Sequence, residues 1–274
     1  MQNAISSAKT LFATPLFLFL AFSASAQTAL SVGPPRLYFV TNDVGQAQYL
    51  EIVNSSADYP LELAVSVEDW AYDTFGNNVM ASRGTLPTSC ADWLSISETA
   101  FSLQPGETKR LQVSLQVPKD VSPADSLPVR TAMLFVSQLN PRGSDQDPQE
   151  GANIRLSLRS GVKVYHRFGG KDKADIDITD LKYVADTAGS FLELSCAVTG
   201  NTWLEGRVQT EFINQDTGEK KTSAEQTIYC LPGDKRRLYI PLPEGLPAGN
   251  YQASVMLFYD ADGLVKAAEM ELEV

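Results

Sequence analysis

Apolar and polar residues alternate over short runs along most of this chain, and Gly, Pro, Asn or Asp interrupts almost every run. A period of two is the mark of a half-buried strand, whereas a helix repeats its apolar residues every three to four positions. Few windows hold the helical period. A chain punctuated in this way is expected to be all-β, as a sandwich or a barrel. In the first half the pattern predicts strands near 30–41, 46–54, 61–72, 93–97, 109–117, 129–138 and 154–168, with turn-forming stretches at 55–60, 73–78 and Pro105-Gly106. A second series is predicted near 176–184, 191–198, 207–214, 223–230, 236–241, 251–259 and 265–274. Its turns fall at Asp216-Thr217-Gly218, Pro232-Gly233 and Asp262-Gly263. Strand numbers of this order in each half suit two immunoglobulin-like β-sandwich domains.

Residues 1–26 read MQNAISSAKTLFATPLFLFLAFSASA. Lys9 gives a positive start, Leu11 to Phe22 a short apolar core, and Ala24-Ser25-Ala26 a small-x-small cleavage site before Gln27. That is the anatomy of an export signal, and the apolar run falls short of the roughly 20 residues of a spanning helix. The expected organisation is a signal peptide at 1–26, a first domain at 27–168, a hinge at 169–174 around Gly169-Gly170-Lys171-Asp172-Lys173, and a second domain at 175–274. The stretch 140–152, NPRGSDQDPQEGA, has no large apolar residue and reads as a mobile loop before the last strand of the first domain.

Several chemistries are disfavoured by what the chain contains. Its formal charge of −11 opposes non-specific binding to nucleic acid. His166 is the sole histidine, which argues against histidine-rich zinc or iron sites and against any mechanism with two histidines. It sits in a strand beside Tyr165 and Arg167 and reads as structural. No nucleophile elbow, His-Glu-x-x-His or P-loop pattern is present, so the expectation is a protein that is not an enzyme and uses no cofactor. Asp260-Ala261-Asp262-Gly263 reads as a hairpin turn rather than a calcium loop, and Asp145, Asp147 and Glu150 as a solvated acidic loop. Of three cysteines, Cys196 and Cys230 lie in the same half and can pair in an oxidising compartment, which would leave Cys90 over.

The informative segment is 154–168, IRLSLRSGVKVYHRF. Ile154, Leu156 and Leu158 form an apolar row, and Arg155, Arg159, Lys163 and Arg167 bring positive charge to an acidic protein. A strand of this length exceeds the usual 5–6 residues, and a long strand at a sheet edge can pair with the backbone of another chain.

Four patches, taken in order, resemble the PapD-like periplasmic pilus chaperones. They are Pro35-Arg36-Leu37-Tyr38-Phe39, the segment VNSSADYPLELAVSVEDW from Val53 to Trp70, the segment FSLQPGETKRLQVSLQV from Phe101 to Val117, and Gly161-Val162-Lys163-Val164-Tyr165-His166-Arg167. The resemblance implies two immunoglobulin-like domains set as a boomerang around a binding cleft. It implies that Arg36 and Lys163 anchor the C-terminal carboxylate of a pilus subunit. Ile154, Leu156 and Leu158 would be the residues of a donated strand that fill the subunit's groove, and Arg167 would serve at the domain interface. By the same resemblance the protein is periplasmic, caps fimbrial subunits by donor-strand complementation and delivers them to an outer-membrane usher. Where the family usually carries an acid at the start of the penultimate strand, Arg130 stands here. Lys163 also falls on the opposite strand phase from Leu158, and a bulge near Ser160-Gly161 would re-aim it. The free protein is expected to be able to self-associate through its donor edge.

Two other readings fit a secreted β protein. One is a structural or adhesive surface sandwich. The other is a carbohydrate-binding module with Trp70, Trp93 and Trp203 as a sugar platform, against which stands the tendency of tryptophan to be buried.

Overall fold

The structure is a computed structural model that describes residues 29–41, 46–122, 127–141, 156–186, 189–259 and 263–274. The predicted signal, the calcium-like turn at 260–262, the acidic loop from 142 onward and Ile154 lie outside the described residues. The first half contains β1 (Leu30–Gly33), β2 (Arg36–Thr41), β3 (Gln46–Asn54), β4 (Leu61–Tyr72), β5 (Asn78–Ala81), β6 (Leu94–Ile96), β7 (Ala100–Leu103), β8 (Thr108–Leu115), β9 (Arg130–Gln138) and β10 (Arg159–Phe168). The second contains β11 (Ile176–Asp186), β12 (Gly189–Val198), β13 (Leu204–Asn214), β14 (Lys220–Thr222), β15 (Gln226–Cys230), β16 (Lys235–Pro241), β17 (Asn250–Tyr259) and β18 (Leu264–Glu273).

Each half is a pair of sheets. In the first, β1-β3-β8-β6 faces β2-β10-β9-β4-β5, with β7 added to β4. In the second, β11-β12-β16 faces β14-β13-β17-β18, with β15 added to β13. Each pair encloses its own core. Phe39, Leu50, Leu63, Leu111, Leu134 and Val164 meet in one, and Leu194, Phe212, Ile240, Val255 and Leu257 in the other. These are the alternate residues of their strands. Burial of each large side chain contributes roughly 1.5–3 kcal/mol.

The short strands β5, β7 and β14 are additional to the expected ones, and two expected strands differ most in extent. The run at 30–41 is two strands in two different sheets, divided at Pro34-Pro35, because proline has no N–H for a ladder and breaks the pairing there. The run at 154–168 is a strand only from Arg159 onward. Its partner β9 ends at Gln138, and the chain then turns at Asn140, whose side chain is tied to the main chain of Glu62 and Pro60 at 2.9 Å. Residues before Arg159 therefore have no ladder to join. Leu158 still lends its carbonyl to the Gln138 N–H at 2.8 Å and packs against the first core, while Leu156 is 76% exposed.

Cys196 and Cys230, which could have paired, do not form the possible disulfide. Both are buried in the second core, and both are free thiols. Cys230 Sγ instead accepts the Arg236 Nε–H at 3.4 Å. Burial pushes the Cys196 thiol up to about 12 and raises that of Cys230 as well, so neither is poised as a thiolate.

Candidate functional site

Strand β10 alternates strictly. Val162 and Val164 point into the first core, so Lys163, Tyr165 and Arg167 belong to its other face. The β10–β9 register runs without interruption from Arg159↔Ser137 to His166↔Arg130. There is no bulge at Ser160-Gly161, and Lys163 remains on the phase opposite Leu158. Gly161 has a different use. A Cβ there would sit 3.1 Å from Phe135 and 3.2 Å from the Met133 sulfur, so the glycine lets those side chains lie against β10.

The face that carries Lys163 is covered by the second half of the chain. Trp70, Val129, Met133 and Tyr165 form a buried cluster with Leu231, and Trp203 packs on its rim. Tyr165 stacks on Tyr38 with ring centroids 5.0 Å apart, and Tyr38 lies 4.9 Å from Trp203. Next to the stack is a hollow of about 440 Å³ lined by Tyr38, Asp172, Trp203 and Glu205.

Arg36 and Lys163 meet at the edge of this seam. Strand β2 runs parallel to β10, and its first residue, Arg36, is the register partner of Lys163. The Lys163 N–H donates to the Pro35 carbonyl at 3.0 Å. Its ammonium donates to the Tyr72 hydroxyl at 2.8 Å and lies 4.5 Å from the Trp70 ring and 4.4 Å from that of Tyr72. The Arg36 guanidinium lies 4.0 Å from the Tyr229 ring. Among the described residues neither cation has a carboxylate partner. The charged groups that act on Lys163 are Arg36 and Arg236. Burial above all, with repulsion from those two arginines, lowers the Lys163 ammonium to about 8. Two neighbouring cations held against aromatic faces, with donors to spare, are suited to receive an anion. Lysine has three donors and spends one on Tyr72.

The other expected site residues fall in different places. Arg167 does reach the seam: it lies 5.5 Å from the Trp203 ring and forms an ion pair with Asp172 in the connector between the halves. Arg130 donates to the carbonyls of Pro87 and Ser89 and stacks on Trp93. Of the donor row, Leu156 and Leu158 precede the strand and are not part of it. His166 is buried, and its Nε2 lies 2.8 Å from the Thr41 hydroxyl, with Trp93 and Phe168 edge-on to the ring. Trp70 is fully buried with its Nε1–H on the Ala132 carbonyl, and Trp93 sits beside His166, so the three tryptophans make no common platform.

Sequence reasoning missed Tyr72, Tyr229 and Arg236. The last had a signal: in β16 it shares the inward phase with Leu238 and Ile240, where an arginine is out of place unless it is paired.

No family model matches the chain, and no curated protein matches it. Among solved structures, the YadV chaperone is 11% identical, covers 89% of this chain and 100% of its own, and has a TM-score of 0.46. The E. coli chaperone DraB is 15% identical with a TM-score of 0.45, covering 89% of this chain and 96% of its own. The CsuC–CsuE chaperone–tip subunit complex from Acinetobacter baumannii gives 11% identity, a TM-score of 0.46, and coverage of 89% and 98%. All three neighbours contain a chaperone, and the CsuC–CsuE complex comes from chaperone–usher Csu pili. With TM-scores below 0.5 the likeness carries no argument about function, which rests on this chain's own residues.

Proposed function

We propose that this protein is a periplasmic, nucleotide-independent chaperone that binds pilus or fimbrial subunits through their free C-terminal carboxylate. One observation carries the reading. Arg36 and Lys163 are side by side on adjacent parallel strands in the seam, without a carboxylate partner among the described residues. Beside them the β2-side edge of β10 from Arg159 to Val162 has no pairing strand among the described residues, because β2 starts only opposite Lys163. A client carboxylate held by the pair would set the register of a client strand laid on that edge. Leu158, Leu156 and Ile154 would then extend the contact as the donated row. Main-chain hydrogen bonds supply affinity in such an arrangement, and alternate side chains supply specificity. Each charge-assisted bond adds about 1.5–3 kcal/mol. Release to an outer-membrane usher would be driven by the folding of the subunit.

The test is affinity capture from the periplasm of pilus-forming cells with the mature chain and its Lys163→Ala variant, followed by mass spectrometry of the bound chains. The expected result is small β-rich subunits on the wild type and at least tenfold less on a folded variant. Equal capture by both removes Lys163 from the site. No bound subunit with either chain removes the chaperone reading.

A further inference from the structure

The second half of the chain reaches the basic pair through Tyr229, which lies under Arg36, and through Arg236, which braces the rings around the pair. Arg236 on β16 is 4% exposed and uses all three of its nitrogens. Nη1 donates to the Asp73 carbonyl in the turn between β4 and β5. Nη2 donates to the Tyr229 carbonyl at 2.6 Å and lies 3.2 Å from the Asp234 carboxylate. Nε donates to Cys230. The guanidinium lies 4.2 Å from the Tyr72 ring. The neighbouring Arg237 N–H donates to the Thr74 carbonyl at 2.8 Å, so β16 also grips the same turn through its main chain. That turn is shaped in advance. Asp73 Oδ1 accepts the N–H groups of Phe75 and Asn77, each at 2.8 Å, and Gly76 takes φ +88°, a conformation that favours glycine.

Two rings matter here. Tyr72 receives the Lys163 ammonium, and Tyr229 lies under the Arg36 guanidinium. Arg236 stacks on the first ring and holds the main chain of the second. Only a planar fork can stack on one group while donating to two carbonyls in different directions; a lysine is a point charge on a flexible stem.

We propose that Arg236 is the positioning residue of the basic pair, the means by which the second unit fixes where Lys163 and Arg36 point. The inference rests on the reading of that pair as a carboxylate anchor, and Arg236 itself acts through Tyr72 and Tyr229 without touching the client. The second unit is thus part of the anchor.

The experiment uses the full mature chain labelled with ¹³C at the lysine ε-carbon, with Lys163 assigned through Lys163→Arg. Its ammonium lies over the Trp70 and Tyr72 rings, so the adjoining ε-methylene protons are expected upfield of those of the other lysines. In Arg236→Lys, which keeps the charge but loses the fork, and in Arg236→Gln, the resonance is expected to return to the common lysine envelope. Subunit capture is expected to fall about tenfold in the same variants. Arg237→Gln, which loses only an ion pair with Glu193, serves as the control and is expected to leave the resonance in place. A folded Arg236→Lys chain whose Lys163 resonance has not moved overturns the proposal. Should both variants fail to fold, nuclear Overhauser contacts between the Arg236 δ-protons and the Tyr72 ring in the wild type decide it, and their absence overturns it. If the resonance moves but the wild type captures no subunit, the positioning stands and the chaperone reading falls.

Discussion

Lys163 is a cation that the fold holds partly against its own charge. Its ammonium is lowered to about 8, so above that pH the neutral form dominates, and a carboxylate held as proposed would lose one of its two charged partners. Client affinity is therefore expected to fall as pH rises through 8 to 9. The Lys163→Arg variant should hold its level across that range, as titration calorimetry at stepped pH can show. Because a bound carboxylate favours the charged form, binding near pH 8.5 should also take up protons, seen as a dependence of the measured heat on buffer ionisation enthalpy. His166 gives a second prediction. Burial, assisted by Arg130, lowers its imidazole from 6.5 to about 4. Between those values the unfolded chain binds a proton that the folded chain does not, so the stability contributed by neutral His166 is lost as pH falls from about 6.5 to 4. Denaturant unfolding of His166→Gln is expected to show a weaker decline over that window than the wild type.

Strand β10 shows how far a sequence pattern reaches at the scale of an element. Its inner phase was legible, because Val162 and Val164 alternate with polar residues and both are buried. Between the two halves, β10 ends at Phe168 and β11 starts at Ile176, and among the described residues each sheet draws its strands from one half alone. The start of β10 was not legible, since periodicity continues through Leu156 and Leu158 while the ladder ends at Gln138. A strand needs a neighbour as well as a pattern. Two substitutions separate these effects. Leu158→Asp places a charge against the first core and should cost about 2–4 kcal/mol of stability by denaturant unfolding. Leu156→Asp, at an exposed position, should change stability by less than about 0.5 kcal/mol and yet lower subunit capture if the row is donated. Gly161→Val is expected to destabilise by about 1–3 kcal/mol, because Phe135 and Met133 already occupy the space.

At the scale of the whole molecule, the seam was the part least visible in the sequence. Trp70 lies on the outer phase of β4, which a lone sandwich would leave wet; it is fully buried because Leu231 and its neighbours cover it. Arg36 and Lys163 are singled out in the sequence only through the resemblance of their surroundings, whereas Arg236, Tyr72 and Tyr229 become a group only when β16 is laid against the turn at Asp73. Rings from both halves meet at Trp203, which contacts Tyr38 and Tyr165. The wild type is expected to unfold in one calorimetric transition, and Trp203→Ala to separate it into two as the halves lose their shared aromatic contact.

Strand β2 is parallel to β10 and begins at Arg36, and the stretch of β10 edge that is unpaired among the described residues ends at the same point. A foreign chain lying on that edge with its last carboxylate at Arg36 would run in the same direction as β2 and stop where β2 starts. The two segments would read as one continuous β-strand with a nick in it, upstream of the nick belonging to the guest and downstream to the host. The salt contact at Arg36 and Lys163 would then stand in for the missing peptide bond.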